Sequence, residues 1–181
     1  DVYKRQDIRL ETGSGMSTDL KARLAAGELD LALIKREPGD GPSLAAWPER
    51  LVWVGDKRLL QGQDAVPLVL FPQGCIYRKR MIYALESAGR TWRAAYHSQS
   101  LAGVQAAVAA GLGVSLLPAF ACLPEHGVLG GEQGLAEAPP TELAIVGDLR
   151  AASEAQASLV AVLKEAVGAD VAPPRRRLVS A

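Results

Sequence analysis

The sequence predicts an α/β fold of two lobes that are joined by two crossing segments. Short apolar runs typical of strands alternate along the chain with amphipathic runs typical of helices, and this alternation defines the α/β class. A looser connector near residues 56–66 and a late return near residues 141–147 indicate the two crossings. Such a fold has a crevice between its lobes at the carboxyl ends of the strands.

The first part of the chain predicts a strand, a turn, a helix and a second strand, at residues 7–11, 12–17, 18–26 and 28–34. Leu20 and Leu24 lie one turn apart on the helix, and Gly27 follows it at a position where glycine commonly ends helices. The second strand is a nearly continuous apolar run, which predicts burial on both faces, as in a parallel sheet.

The second part repeats this pattern over more elements. Strands are predicted at residues 51–55, 67–71, 92–97, 113–118 and 142–147, and helices at residues 79–88, 98–110 and 152–167. In the stretch around SLAGVQAAVAAGLGVSLLP, Ser98 or Ser100 caps the helix and Gly111 ends it, while Gly113 lets helix and strand pack closely. The stretch therefore predicts a β-α-β crossover of the kind that builds parallel sheets.

Composition excludes several classes of protein. The 181 residues are 49% hydrophobic, enough for a core, and their 20 basic and 20 acidic side chains argue against nucleic-acid binding by this chain alone. The two cysteines have no CxxC spacing, so we expect no metal site, no disulfide framework and a reduced cytoplasmic setting. Residues 98–124 are uncharged and long enough to span a bilayer, but glycines and a proline divide them into a helix and a strand.

Both ends of the chain are expected to lie outside the fold. Residues 1–6, DVYKRQ, lead abruptly into the first predicted strand, and we expect them to be a non-native segment. Residues 169–181 are expected to form a flexible tail in which the arginine run at residues 175–177 is solvated.

Polar residues follow several predicted strands, where the crevice between the lobes is expected. Helix N-termini bind carboxylates or phosphates through free N–H groups. Two such ends provide the candidate ligand residues Ser14, Ser17, Ser98, Gln99 and Ser100. For any single serine, capping of its helix is the more common role. The two ends together favour a ligand site if they face the same cleft.

The turn at residues 71–80, FPQGCIYRKR, is the most polar and aromatic of these connections. Its candidate pocket residues are Gln73, Gly74, Cys75 and Tyr77. Arg78 could hold an anion or pair with a surface acid. Lys35 follows a buried strand, where it could meet an anionic ligand or lie in solvent.

We find no specific catalytic signature in the sequence. Cys75 could act as a nucleophile, but no motif ties His97 or His126 to it as a base, and such a cysteine is more often a pocket-wall or core residue. The glycine-rich motifs of nucleotide-binding sites do not occur. We therefore expect a protein that is not an enzyme and has no metal and no cofactor.

Three stretches resemble the effector-binding domain of LysR-type transcriptional regulators. Residues 15–34, GMSTDLKARLAAGELDLALI, are similar to a family stretch in which a serine-led helix is followed by Gly-Glu-Leu-Asp-Leu-Ala. Residues 67–118 resemble the second lobe of that domain and residues 141–167 its closing segment. The resemblance covers about residues 7–167.

The resemblance implies two Rossmann-like lobes of the periplasmic-binding-protein type II kind, the first lobe being incomplete. Lobe I would comprise residues 7–60 and 146–168, and lobe II residues 61–145. The family's N-terminal helix-turn-helix, its linker helix, and the first strand and helix of its first lobe have no counterpart here. By matching positions, the effector would be lined by Ser17, Lys35, residues 73–77 and residues 98–100.

The resemblance further implies a bacterial, cytoplasmic regulator that binds a small polar or anionic metabolite between its lobes. It implies a homodimer or homotetramer that contacts DNA only through the missing N-terminal domain and does not contact membranes. One alternative is a periplasmic solute-binding protein of a transporter, which shares the fold and would carry an export signal upstream. Another is an enzyme that uses Cys75.

Overall fold

The computed structural model describes residues 10–62, 64–147 and 153–171. Helices and strands follow one another along these residues, and the predicted α/β class is confirmed. The strands are β1 (Leu31–Arg36), β2 (Ala45–Glu49), β3 (Leu51–Val54), β4 (Ala65–Leu70), β5 (Thr91–His97), β6 (Ser115–Pro118), β7 (Val128–Leu129) and β8 (Thr141–Gly147). The α-helices are α1 (Ser17–Ala25), α2 (Ile76–Ser87), α3 (Leu101–Ala109) and α4 (Glu154–Val171).

The first sheet consists of β1, β8 and β2, with β8 in the centre and antiparallel to both neighbours. A small apolar core is formed by residues of β1 and β8, and Leu20 and Leu24 of α1 pack against it. These are the two leucines whose spacing predicts the apolar face of the helix. At the other edge of the sheet, α4 packs against β2.

The second sheet has an antiparallel and a parallel part. β3 lies between β6 and β7 and is antiparallel to both, whereas β4 and β5 are parallel neighbours. The N–H of Val114 donates to the Pro67 carbonyl at 2.8 Å, and the Val114 carbonyl accepts from the N–H of Val69 at 2.9 Å, which joins the two parts. The chain thus runs from β5 through α3 to Val114, which pairs with Leu68 of β4 in the parallel direction. The predicted β-α-β crossover is confirmed. The main core lies here, with buried side chains from α2 and α3.

The sheets divide the chain at points other than the predicted lobe boundaries of residues 60/61 and 145/146. β3, predicted in lobe I, pairs within the second sheet, and β8, predicted largely in lobe II, pairs within the first. The reason is that Arg50 alone separates β2 from β3, so the chain changes sheets there and not along the looser connector. We use lobe I and lobe II for the parts that carry the first and the second sheet.

Two predicted strands differ from the structure. The prediction that residues 28–34 are buried on both faces is wrong: exposure alternates along β1, and Leu33 is 38% exposed. Within the described residues only β8 pairs with β1, and it does so in the antiparallel direction. The predicted strand at residues 7–11 has no regular structure at Leu10 and Glu11, and residues 7–9 lie outside the described part.

Helix ends also differ from their predictions. α2 begins at Ile76 and not at residue 79, because Gly74 with a φ of +85° completes the turn early and Cys75 at the N-cap is extended. α4 runs to Val171, so the start of the predicted tail is helical. Residues 172–181 and residues 1–6 lie outside the described ranges. β2 and β7 are not predicted, because β2 contains a proline and β7 is a two-residue strand.

The uncharged stretch of residues 98–124 forms α3, β6 and a short 3₁₀ turn. Gly111 follows α3 with a φ of +73°, which confirms its predicted role in ending the helix. In the described ranges, no helix combines the length and the apolar character needed to cross a membrane.

Candidate functional site

Six of the predicted ligand residues lie in two groups that share residues 73–78, which form the turn before α2 and the first residues of that helix. One group connects lobe I to this turn and contains Ser17, Lys35 and Tyr77. The other lines a cavity on lobe II and contains Gln73, Ser98 and Gln99. The turn is therefore the element that relates the two groups.

The first group brings α1, β1 and α2 together. Ser17 begins α1, and its Oγ accepts a hydrogen bond of 3.0 Å from the backbone N–H of Lys35. The Nζ of Lys35 lies 4.5 Å from the ring centroid of Tyr77, within the range of a cation–π contact. A Cβ placed on Gly74 would lie 3.8 Å from the methyl group of Met16, so the turn also approaches the start of α1. These contacts join the two lobes.

Tyr77 also belongs to a buried hydrogen-bond network with Glu49 and Thr141, here called the hinge network. Its hydroxyl donates to the two carboxylate oxygens of Glu49 at 2.9 and 3.1 Å, and Oγ1 of Thr141 donates to the same carboxylate at 2.9 Å. All three side chains are buried, Glu49 being 1% exposed. Burial, and then the charge of Glu49, raises the pKa of Tyr77 far above its ordinary value. The tyrosine hydroxyl therefore stays protonated and donates.

The hinge network lies where the chain crosses between the lobes. Glu49 and Thr141 are paired at one end of the β2–β8 ladder: the chain leaves the first sheet after Glu49 and returns to it at Thr141. Tyr77 comes from α2 and so links both crossings to lobe II. Because Tyr77 is fully buried and its hydroxyl is bound to Glu49, it holds the lobes at the site and does not present that hydroxyl to a ligand.

Arg80 makes a second contact between the lobes from the same helix. Its guanidinium pairs with Glu37, which follows β1, and donates to the carbonyl of Pro140 at 3.2 Å, next to the second crossing. Its Nε is buried and has no hydrogen-bond partner among the described residues. Helix α2 of lobe II thus contacts three side chains from lobe I and its first crossing, those of Lys35, Glu37 and Glu49.

The cavity on lobe II has a volume of about 350 Å³ and is lined by Pro72, Gln73, Arg78, His97, Ser98 and Gln99. The serines beside it use their hydroxyls locally. Oγ of Ser98 donates to the carbonyl of Ser100 at 3.1 Å and accepts from its N–H at 3.2 Å. Oγ of Ser100 accepts from the N–H of Gly103 at 3.1 Å as the N-cap of α3. The capping role is thus confirmed for Ser100, and Ser98 stabilises the turn.

Arg78 and His97 approach each other at this cavity. Nη1 of Arg78 donates to the carbonyl of Phe71 at 3.0 Å and lies 3.5 Å from Nδ1 of His97. A guanidinium can only donate, so Arg78 can act only as a hydrogen-bond donor at this cavity. The cavity therefore has a guanidinium and an imidazole beside its glutamine side chains.

Three other candidates lie outside both groups. Ser14 is exposed and makes no hydrogen bond to another described residue. Cys75 is half-buried, makes no capping hydrogen bond with its side chain and packs against the main core, as expected of a wall residue. His126 is buried, with Nδ1 accepting from the N–H of Leu123 at 3.2 Å and Nε2 at 3.0 Å from the carbonyl of Gln105. In the described part of the chain, no three histidine, cysteine or acidic residues are grouped so that they could hold a metal ion.

A larger cavity of about 570 Å³ lies against lobe I and is lined by none of the predicted ligand residues. Its two basic side chains are ion-paired: Lys21 lies 2.6 Å from Asp40, and Arg36 lies 2.7 Å from Glu142. The hydrogen bond from Lys21 lowers the pKa of Asp40. The positive charges of this cavity are therefore compensated by neighbouring acids.

Three residues of the site are not predicted as such from the sequence: Glu49, Thr141 and His97. Glu49 is a single acid between two apolar runs, a pattern that could have indicated a buried carboxylate. Thr141 and His97 carry no local signal, since their partners lie 92 and 19 residues away along the chain.

Two lobes with separate cores, two crossings and polar side chains at the junction define a two-lobed α/β ligand-binding domain. Residues 4–168 match the LysR substrate binding domain family, and the chain belongs to this family. The fold expected of that family, two lobes of the periplasmic-binding-protein type II kind, agrees with the solved structures that the chain resembles.

Two relatives are transcriptional regulators. The HTH-type transcriptional regulator PecT of Dickeya dadantii (strain 3937) is 30% identical over 127 residues, which cover 69% of this chain and 40% of PecT. The HTH-type transcriptional regulator DgdR of Burkholderia cepacia is 29% identical over 151 residues, which cover 82% of this chain and 51% of DgdR. The chain thus spans about half or less of the length of these relatives.

The fold is also that of solved regulatory domains. The bromide-bound regulatory domain of HypT from Salmonella typhimurium matches with a TM-score of 0.69 and 15% identity, over 93% of this chain and 87% of the HypT domain. At this level of identity the likeness concerns the fold, and the ligand of this chain has to be inferred from its own residues.

Proposed function

We propose that the chain is the effector-binding regulatory part of a LysR-type transcriptional regulator and that it holds a small polar or anionic metabolite between its lobes. The observation that carries the proposal is the segment of residues 73–78, which supplies Gln73 and Arg78 to the cavity and contacts Lys35 of lobe I through Tyr77. The proposed ligand residues are Ser17, Lys35, Gln73, Gly74, Ser98, Gln99 and the cap of α3 at Ser100.

The proposed mechanism is a shift between arrangements of the two lobes. A ligand that touches both lobes stabilises the arrangement in which those contacts are made, and it can shift the equilibrium only by its difference in affinity for the two arrangements. The hinge network lies at the crossings about which such a rearrangement would turn. The change would then pass to the rest of the regulator as a coupling between ligand and DNA binding.

Parts of the proposal concern the whole regulator. Both relatives are named as HTH-type transcriptional regulators and are about twice as long as the matched region or longer, which supports a DNA-binding part elsewhere in the protein. We infer a cytoplasmic homodimer or homotetramer, with no catalytic activity in this chain. The transporter alternative has no support from these relatives, because each is a regulator of transcription.

The binding site can be tested with a metabolite library and thermal denaturation of the chain. We expect a metabolite that raises the melting temperature of the wild type by a few degrees to raise that of Gln99→Ala much less, because a ligand stabilises only through its binding. Gln61→Ala, an exposed glutamine outside the cavity, is the matched control and should behave as the wild type. Equal shifts in both variants would place the ligand elsewhere.

A second expectation concerns DNA. The chain has 20 basic and 20 acidic residues, so we expect no sequence-selective complex with DNA that survives about 150 mM salt in a gel-shift experiment. A non-specific complex, if formed, should be lost as salt rises. Salt-resistant, sequence-selective binding by the chain alone would contradict the assignment of DNA recognition to another part of the protein.

A further inference from the structure

We propose that Arg78 anchors a carboxylate group of the effector in the cavity on lobe II, so that the effector is a small organic acid. The inference rests on the proposed function, because it assigns the chemical class of ligand to the same site. It goes further in naming the residue that recognises the charge, which is distinct from the serines and from Lys35.

The first support is that the charge of Arg78 is not compensated. Four other basic side chains that are not fully exposed are paired with an acid: Lys21 with Asp40, Arg23 with Glu28, Arg36 with Glu142 and Arg80 with Glu37. Two more have no acid partner among the described residues but make other contacts: Arg90 donates to the carbonyls of Gln133 and Gly134, and Lys35 lies over the Tyr77 ring. Arg78 is half-buried, yet within the described residues it has no carboxylate partner. A half-buried arginine without a carboxylate partner can bind the carboxylate of a ligand in its place.

The second support is the chemistry of the cavity wall. None of its six lining residues is acidic, so nothing in that lining repels an anion. Gln73 and Gln99 carry amide N–H groups that can donate to a ligand beside Arg78. A lining with a guanidinium, amide donors and no acid suits an acceptor-rich ligand.

The third support is the orientation of the guanidinium. Its Nη1 donates to the carbonyl of Phe71 at 3.0 Å, and Phe71 follows β4 directly. This hydrogen bond holds the guanidinium beside the turn that connects β4 to α2. Among the described residues no partner is bonded to Nη2 or Nε of Arg78. The N–H groups of Nε and Nη2 form one free edge of the planar guanidinium, and such an edge matches the two oxygens of a carboxylate.

The volume of the cavity limits the size of this acid. About 350 Å³ is near the lower end of the range for small-molecule sites. Arg78 is the one permanently charged residue in the described lining, and Lys35 lies over the Tyr77 ring. A small acid with one carboxylate at Arg78 and hydrogen-bonding groups toward the glutamines fits these observations.

The test uses the chain with a panel of small mono- and dicarboxylates, each paired with its uncharged amide, in isothermal titration calorimetry at low salt. We expect at least one acid to bind and its amide to bind at least about tenfold more weakly. The affinity for the acid should fall about 10- to 100-fold in Arg78→Gln. Arg78→Lys should recover part of the loss, because it keeps the charge and loses the planar fork.

Arg93→Gln is the matched control, since Arg93 is an exposed arginine on β5 outside the cavity lining and undergoes the same change of charge. Circular dichroism melting of each variant separates lost binding from lost folding. If an amide binds as tightly as its acid and depends on Gln99, the proposed site stands and the role of Arg78 is wrong. If Arg78→Gln and Arg93→Gln weaken binding equally, or if no acid binds below about 10 mM, the role of Arg78 is also wrong.

Discussion

Gly113→Ala is expected to lower the free energy of unfolding by about 3 kcal/mol, at the upper end of the usual cost of overpacking a core. A Cβ at this position would lie 2.7 Å from the carbonyl oxygen of Pro67 and 3.2 Å from its carbonyl carbon. The two backbones cannot easily separate, because the N–H of Val114 donates to that same oxygen and the Val114 carbonyl accepts from Val69. The substitution therefore strains the joint between the two parts of the second sheet.

Urea denaturation followed by circular dichroism would measure this loss, with Gly131→Ala as the matched control. A Cβ on Gly131 meets nothing within 4 Å, and Gly131 lies in a short 3₁₀ turn without a positive φ. We expect the control to change stability by less than about 0.5 kcal/mol. Similar losses of unfolding free energy in the two variants would mean that the backbones of β4 and Gly113 are not in close contact.

Gly113 also shows what a sequence pattern can predict and what it cannot. The glycine after α3 is correctly predicted as a point of close packing, because glycine between two apolar elements commonly has that role. The sequence predicts that Gly113 allows α3 and the next strand to pack closely, whereas in the structure it lies against the backbone of Pro67 in β4. The partner could not be read from the sequence because it depends on strand pairing between residues far apart along the chain.

The same distinction holds for the whole fold. The spacing of Leu20 and Leu24, the cap at Ser100 and the stop at Gly111 are local signals, and the elements that they predict are present. The first sheet is not local: Arg36 and Glu142 lie on neighbouring strands although 106 residues separate them. An apolar run such as that of β1 does not tell whether its neighbours will be parallel, antiparallel or on one side only.

For the candidate site, the sequence predicts which residues lie near one another but not their contacts. Polar residues at the ends of neighbouring strands can be expected near one cleft, and Gln73, Ser98 and Gln99 do line one cavity. The directions of Tyr77 and Arg78 could not be expected, since consecutive residues of a helix point about 100° apart. As a result Tyr77 enters the core and binds Glu49, whereas Arg78 lines the cavity.

Tyr77→Phe is expected to lower the free energy of unfolding by about 2 kcal/mol at neutral pH, as for loss of a hydrogen bond to a charged group. Phenylalanine keeps the edge contact with Phe71, at 5.6 Å between centroids, and the contact with Lys35. It leaves the buried carboxylate of Glu49 with Thr141 as its one hydroxyl donor in the described network. Tyr83→Phe on the same helix is the matched control, since Tyr83 is 60% exposed.

A double-mutant cycle with Glu49→Gln would attribute the loss to the pair. We expect Glu49→Gln to cost less in the Tyr77→Phe background than in the wild type, because the bond between the two side chains is already gone. Additive effects would show that Tyr77 and Glu49 do not interact, and that the crossings are not linked to lobe II through this tyrosine.

Alkaline pH gives an independent measurement of the same network. The pKa of Tyr77 is raised in the folded state, whereas tyrosine in the unfolded chain ionises near pH 10, so above that pH the folded state binds more protons than the unfolded state. The stability that Tyr77 contributes is therefore complete below about pH 10 and decreases above it, by about 1.4 kcal/mol per pH unit.

Tyr77→Phe has no hydroxyl at this position to ionise, so the difference in unfolding free energy between wild type and variant should narrow between pH 10 and pH 11. A difference that stayed constant would mean that Tyr77 ionises as readily in the folded protein as in the unfolded chain, which a buried hydroxyl bound to a carboxylate cannot do.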